Sequence, residues 1–330
     1  FRYIKRYEYR HPQLPFLIHC SIVKTSKTNN GKFIEQFNIK DSEVFNSLEH
    51  FEIEIELNNE FISNNKSVST KEFLYINLRK VIKYILIGLQ ETNYPVSINE
   101  LNIISNDYLK LIKNTDYKDS IKINVKDFIG PSSSTLQMIN ILPESEINDT
   151  NISIPNIRKN YTVTDKADGI RKLLYISSTG KMYFIPMSMN LQFTGVYVEN
   201  KDLYNTIIDG EHILHDKKGE YINKFACFDV YYFGGKNVTG LPFINLDSTE
   251  DSSTDKKTNY RLVILNSIIK TFEIKSITNN KKIHITFTVK KFYGSNIFNG
   301  TVVFGKIIKL LNGNTGIIFG KLLMININKF

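Results

Sequence analysis

Short β-forming runs follow one another through the second half of the chain with little but turn residues between them: YTVTDK, IRKLLYIS, KMYFIPM, TIIDGEHIL, FACFDVYYF and IHITFTVKKFY. Valine, isoleucine, threonine and aromatic residues fill these runs, the side chains that suit a pleated, half-buried surface. Helical spacing of apolar residues is confined to a few stretches. From Thr70 to Glu91, Phe73, Ile76, Leu78, Val81, Ile82, Ile85, Leu86 and Leu89 recur at that period. Ser97 to Lys113 is a second such stretch, with Ser97 as cap and Glu100 completing a capping box, and Tyr260 to Phe272 is a third. Strands grouped with strands, and helices set apart, specify an α+β chain.

The first part is β-rich as well: RYIKRYEYR, FLIHCSIVKT, GKFIEQFNI and HFEIEIEL read as strands, with Asn29-Asn30-Gly31 as a hairpin turn. GPSSST, LPES and SIPN make residues 127–160 a turn-rich linker between a first domain, 1–126, and a second, 161–330. The tract from Asn245 to Tyr260 is a polar surface insertion. With 330 residues, 42% of them hydrophobic, the chain is ample for one large or two moderate domains with cores of their own. No apolar run approaches the ~20 residues of a membrane span, so a soluble protein without a membrane partner is expected. A formal charge of +9 favours a polyanionic partner. Cys20 and Cys227 lack metal-ligand spacing and fit a reducing, intracellular setting. A start at Phe1, without methionine or signal pattern, reads as a piece of something longer.

Three constellations carry chemistry. The first is Lys166-Ala167-Asp168-Gly169-Ile170-Arg171, at the end of one strand and the start of the next. A lysine that attacks phosphorus must be neutral when it does so, which burial or neighbouring cations favour. Gly169 lets backbone approach a ligand closely, and Arg171 suits a phosphate or sugar. The second is Asp209-Gly210-Glu211 within a strand, followed by Phe228-Asp229 in an apolar run. Carboxylates set in otherwise buried strands are costly unless they meet a cation or a hydroxyl. The third is HFEIEIEL, where Glu52, Glu54 and Glu56 share one strand face by the period of two. Such a face repels itself unless it binds a cation or a basic partner strand.

Lys-X-Asp-Gly-X-Arg, then Asp-Gly-Glu, then an aromatic-Asp strand resembles the covalent nucleotidyltransferases: mRNA capping guanylyltransferases and ATP-dependent DNA and RNA ligases, with their ATP-grasp-like domain. The resemblance covers Tyr161 to about Phe319. It implies that Lys166 attacks the α-phosphate of a nucleoside triphosphate, releases pyrophosphate and passes the nucleotide to a polynucleotide 5′ end, with Mg²⁺ or Mn²⁺ neutralising the triphosphate. It further implies that Asp168, Gly169 and Arg171 line the nucleotide, Glu211 serves the ribose or metal, Phe228 stacks on the base and Asp229 lies near metal and phosphate. Lys290 or Lys291 resembles the lysine that reads the guanine edge; as strand neighbours they face opposite sides. The tail departs from the pattern: Thr315-Gly316-Ile317-Ile318-Phe319 has threonine where the family has an acid, and Lys329 stands where a Lys-X-Lys motif is expected. No room remains for the OB-fold domain that usually follows. These departures leave the second transfer step open.

The acidic strand resembles the glutamate strand of the triphosphate-tunnel RNA 5′-triphosphatases that precede guanylyltransferases in large-DNA-virus capping enzymes. There Glu52, Glu54 and Glu56 would hold the metal, while Arg2 and Arg6 would hold the triphosphate. His19 and Ser21 stand where that family has Asp and Thr, and its earlier Glu-X-Glu strand does not precede Phe1. Together the parts resemble a giant-virus capping enzyme that uses GTP on an RNA 5′ end, in the host cytoplasm or virion, with a methyltransferase as a further domain or subunit. The other readings are an ATP-dependent polynucleotide ligase and a non-catalytic RNA-binding module of a capping complex. A ligase is not expected to carry the acidic strand, which favours GTP over ATP.

Overall fold

Alternation of side chains along the first strands fixes how they pair. The computed structural model describes residues 1–67, 69–113, 123–140, 142, 156–157, 161–244, 260–278, 285–294 and 322–326, and the chain divides into compact units Phe1–Leu89 and Gln90–Phe330. In the first unit β1 (Arg2–Arg10) pairs antiparallel with β2 (Phe16–Thr25). β3 (Thr28–Asn29) and β4 (Lys32–Phe33) close the expected hairpin around Asn30 and Gly31. β5 (His50–Leu57) pairs with the other side of β2, giving the order β1-β2-β5. Only Lys32–Phe33 of the expected strand GKFIEQFNI is extended, because the polar residues that follow close a turn at Asn38, whose side chain caps Asp41.

Two helices complete this unit. α1 (Asn59–Asn64) is capped by Asn58, whose side chain accepts from Phe61 N–H, and α2 (Lys71–Gln90) follows. Leu14, Phe16 and Val81 are the buried centre of the unit, with Ile18, Ile55, Leu74, Leu78 and Ile85 packed around them. The inward stripe of α2 is therefore 74, 78, 81, 85, while Ile76, Ile82 and Leu89, expected on the core face, are exposed. Strand β1 is exposed along its whole length.

In the second unit α3 (Ile98–Lys113) starts at Ser97, whose hydroxyl accepts from Glu100 N–H as expected. The carboxylate of Glu100 turns to Lys181 and Tyr183, both at 2.7 Å. β6 (Tyr161–Asp165), β7 (Ile170–Ile176), β8 (Lys181–Pro186), β9 (Gln192–Val198), β10 (Thr206–His215) and β11 (Tyr221–Phe233) follow. Then come β12 (Lys236–Asn237), α4 (Arg261–Lys270), β13 (Ile274–Ser276), β14 (Thr286–Val289), β15 (Tyr293–Gly294) and β16 (Leu322–Asn326). Strands β9 and β13 were not legible in the sequence. Gly195 at φ 79° and the glutamine and threonine of β9 blur its alternation. Of IHITFTVKKFY, only β14 and the start of β15 are extended among the described residues.

The main sheet runs β12-β11-β10-β7-β8-β9-β13, with β14 added parallel to β11; a second sheet runs β15-β6-β16. Continuous apolar runs such as Leu173–Ile176 mark strands buried on both faces. One face of the sheet carries Leu174, Ile176, Ile208, Phe225 and Val230 against Leu262, Leu265 and Ile268 of α4. The other carries Leu173, Tyr175, Tyr183, Ile207 and Tyr231 against Ile104, Tyr108 and Leu109 of α3. Each such side chain contributes about 1.5–3 kcal/mol by leaving water. Helix α3, expected with the first domain, thus belongs to the core of the second unit. Among the described residues no helix is long and apolar enough to cross a membrane.

Candidate active site

Lys166 follows the last residue of β6, the middle strand of the smaller sheet, and is exposed there. Residues 285–294 link the two sheets, since β14 joins β11 of one and β15 joins β6 of the other. That link carries Lys290 to the nucleophile: its ammonium donates to the Asp165 carbonyl, and its backbone N–H to the Cys227 carbonyl at 2.9 Å. Lys291 is exposed, and its carbonyl accepts from Thr164 Oγ1 at 2.7 Å. Of the two candidate lysines, Lys290 is the one gathered with Lys166.

Glu211, on β10, completes the group. Burial pushes its carboxyl above the usual range, although the nearby Lys166 and Lys290 charges pull the other way. Burial likewise lowers Lys290, opposed by Asp165 and Glu211 and reinforced by the charge of Lys166. Two lysines and one half-buried carboxylate converge here from β6, β10 and the β14–β15 link. Gly169 makes the arrangement possible: a Cβ there would lie 2.6 Å from the His212 carbonyl oxygen and 2.9 Å from Glu211 Cγ. The close approach it permits is between the Lys166 turn and β10. Asp168 is exposed.

Two buried ion pairs sit behind this group. Arg171 donates from Nε and Nη2 to the two oxygens of Asp209 at 3.1 and 2.5 Å, and from Nη1 to the Pro131 carbonyl at 2.6 Å. Tyr231 OH donates to the same carboxylate at 2.5 Å. Burial would lower the guanidinium, but the Asp209 carboxylate outweighs it and holds Arg171 above the ordinary arginine value. Three of the five N–H groups are engaged within the protein, leaving at most two for a ligand. Phe228 lies against Arg171, its ring 5.7 Å from the guanidinium carbon, and is itself buried. Asp229 accepts from Arg261 Nε and Nη2 at 2.8 and 3.1 Å and from Val230 N–H at 2.8 Å. With both oxygens so engaged, Asp229 suits a metal less well than Glu211 does.

Sequence reasoning missed the partners of these carboxylates. Beyond Arg79 the chain has three arginines, Arg158, Arg171 and Arg261, and two of them neutralise Asp209 and Asp229. The scarcity of arginine beside carboxylates in apolar strands was the available signal. Phe128, whose ring lies 5.4 Å from the Arg171 guanidinium carbon, was hidden in a stretch that reads as linker. Thr315–Phe319 and Lys329 lie outside the described residues.

In the first unit the register places Glu52 opposite Ser21, and Glu54 opposite His19, while Arg6 and Glu8 face the same two residues from β1. Arg2 pairs with Glu52 at 2.6 Å and Arg6 with Glu54 at 2.5 Å. His19 lies 3.0 Å from Glu8 and 3.4 Å from Glu56. The ligand atoms of His19, Glu54 and Glu56 fall within 4.8 Å of one another, a set whose nitrogen and oxygen donors suit a divalent cation. Glu52 is drawn to Arg2 instead. The described strands form an open sheet and no closed tunnel.

A probable mRNA-capping enzyme of Acanthamoeba polyphaga mimivirus is 25% identical over 245 residues, covering 73% of this chain and 17% of that protein's length. The α+β architecture fits a nucleotidyltransferase-type domain. Residues 104–319 match the mRNA capping enzyme catalytic domain, from α3 through the Lys166, Glu211 and Lys290 group. The chain belongs to the family of mRNA capping enzyme catalytic domains.

Proposed function

We propose that this chain is the guanylyltransferase part of a viral capping enzyme, transferring GMP from GTP through Lys166 to a diphosphate-ended RNA. The convergence of Lys166, Glu211 and Lys290, within the stretch that matches the family, is the observation that carries it. In the first step the unprotonated Lys166 amine attacks the α-phosphorus; an N–P bond forms, the α–β bridging P–O bond breaks, pyrophosphate leaves and the nitrogen gives up one proton to solvent. In the second, a terminal oxygen of the RNA β-phosphate attacks the same phosphorus, the N–P bond breaks and the departing nitrogen takes a proton from solvent, returning the lysine. Bound Mg²⁺ or Mn²⁺ would supply charge neutralisation on the triphosphate. Glu211 is the carboxylate best placed to hold it or the ribose. Lys290 supplies a second cation beside the nucleophile, and the Asp209–Arg171 pair ties β7, the strand into which the Lys166 turn leads, to β10.

The basic charge of the chain suits both GTP and an RNA end. A host-cytoplasmic or virion location and a methyltransferase partner follow from the same proposal. Labelled GTP with a divalent cation should give an acid-labile, alkali-stable protein adduct that Lys166→Ala abolishes. Labelling by ATP in preference would place the chain with the ligases. Absence of any adduct, with salt-sensitive RNA binding retained, would make it a non-catalytic module.

The His19, Glu54 and Glu56 set favours a second activity, RNA 5′-triphosphate hydrolysis in the first unit. Arg2 and Arg6 would then exchange their carboxylate partners for phosphate oxygens while the freed glutamates take the metal. Release of inorganic phosphate from triphosphate-ended RNA, lost in Glu54→Gln, tests this; equal release by that variant would exclude it.

A further inference from the structure

Residues 123–131 are fastened to α3 with more care than a linker needs. Asp127 accepts from Asn124 N–H at 2.9 Å and pairs with Lys113, on the last turn of α3, at 2.6 Å. The Asn124 side chain accepts from Lys126 N–H at 3.0 Å. Buried Tyr108 donates its hydroxyl to the Asp127 carbonyl at 2.7 Å. From this anchor the segment runs to Arg171: Phe128 packs on the guanidinium, and the Pro131 carbonyl takes a hydrogen bond from Nη1. Between them Gly130 leaves no space for a side chain, since a Cβ would come within 2.3 Å of Arg171 Nη2 and 2.8 Å of Phe128.

Arg171 is thereby held by two independent devices. The Asp209 carboxylate grips Nε and Nη2, whereas the Phe128 ring and the Pro131 carbonyl fix the plane and the remaining nitrogen. Phe228 packs on the same guanidinium, so its ring position depends on where that plane lies. We infer that residues 123–131 are a positioning strap for the nucleotide site, setting Arg171 and Phe228 as one rigid pair. The inference rests on the guanylyltransferase proposal for what the site binds. It assigns Phe128 a positioning role, because it acts through Arg171.

The strap is tested in the full chain by comparing wild type with Phe128→Leu and Phe128→Tyr. Leucine keeps most of the apolar bulk in the core but removes the ring beside the guanidinium; tyrosine restores it. The KM for GTP in adduct formation should rise about tenfold in Phe128→Leu, the order of a desolvated cation–π contact, with the maximal rate within about twofold, and Phe128→Tyr should recover it. Amide exchange over residues 170–173 and 227–229 should be faster in Phe128→Leu alone. An unchanged KM, or a loss that tyrosine does not rescue, would overturn the strap. If the wild type forms no adduct with GTP, the guanylyltransferase proposal fails while exchange still decides: equal protection in wild type and Phe128→Leu overturns the strap.

Discussion

Arg171→Leu isolates the larger of the forces that shape the site. The substitution leaves the Asp209 carboxylate, whose side chain is 0% exposed, without the two N–H groups that compensate its burial. Removing one partner of such a pair costs about 3–5 kcal/mol, because the remaining charge is stranded in a low-dielectric interior. A unit of this size loses about 2–4 °C of melting temperature per kcal/mol, so calorimetry of the intact chain should show a fall of about 10 °C. Lys275→Ala is the control. Lys275 and Glu199 are as close, 2.6 Å, but 50% and 63% exposed, and a pair of that kind is worth less than about 1 kcal/mol. Replacing Asp209 by leucine as well should recover much of the loss, since no stranded charge remains. A fall of less than about 2 °C in Arg171→Leu, or a double variant that loses the sum of the two singles, would refute the argument.

Gly169→Ala should abolish adduct formation and cost about 1–3 kcal/mol of stability, because the new Cβ would overlap the His212 carbonyl; full activity would show that the Lys166 turn has room to move. Burial alone would raise Asp127, but the Lys113 ammonium and the Asn124 N–H outweigh it and hold the carboxyl below its usual range. The stability it adds is therefore present above the unfolded pKa, about 3.9, and is lost as pH falls through the lower folded value. Urea midpoints of wild type and Asp127→Asn should differ at pH 7 and converge below about pH 4; a constant gap would contradict this. Arg2→Gln and Arg6→Gln break exposed pairs and should each change stability by less than about 1 kcal/mol. Loss of RNA triphosphate hydrolysis without loss of folding would then place these arginines at the phosphates, and a large melting shift would make them structural.

Much of the architecture was legible because the period of two and the β-forming residues mark strands even at the surface, and β1, β2 and β5 lie where that reading put them, although β1 is exposed throughout. The main sheet was legible through its apolar runs. What those runs could not reveal is which element covers each face, and so α3 was expected with the wrong neighbour. Tyr108 and Leu109 look like the core face of any amphipathic helix until Tyr175 and Tyr231 are seen beneath them. The site shows the same division. Lys166 and Glu211 stood out as charges at a turn and in an apolar strand, and the family resemblance gave their roles and the choice of Lys290 or Lys291, whereas Phe128 and Arg261 act through contacts distant in sequence. Asp209 and Asp229 were recognised as costly charges in apolar strands; that the cost is met by Arg171 and Arg261 required the fold.

The most direct test is the mass of the intact chain after incubation with equimolar GTP and ATP and a divalent cation, followed by peptide mapping. Guanylyl transfer through Lys166 predicts a gain of one GMP, on the peptide containing Lys166-Ala167-Asp168-Gly169, and its release on adding diphosphate-ended RNA. A gain of AMP, a GMP located on another lysine, or an unmodified chain under these conditions would contradict it.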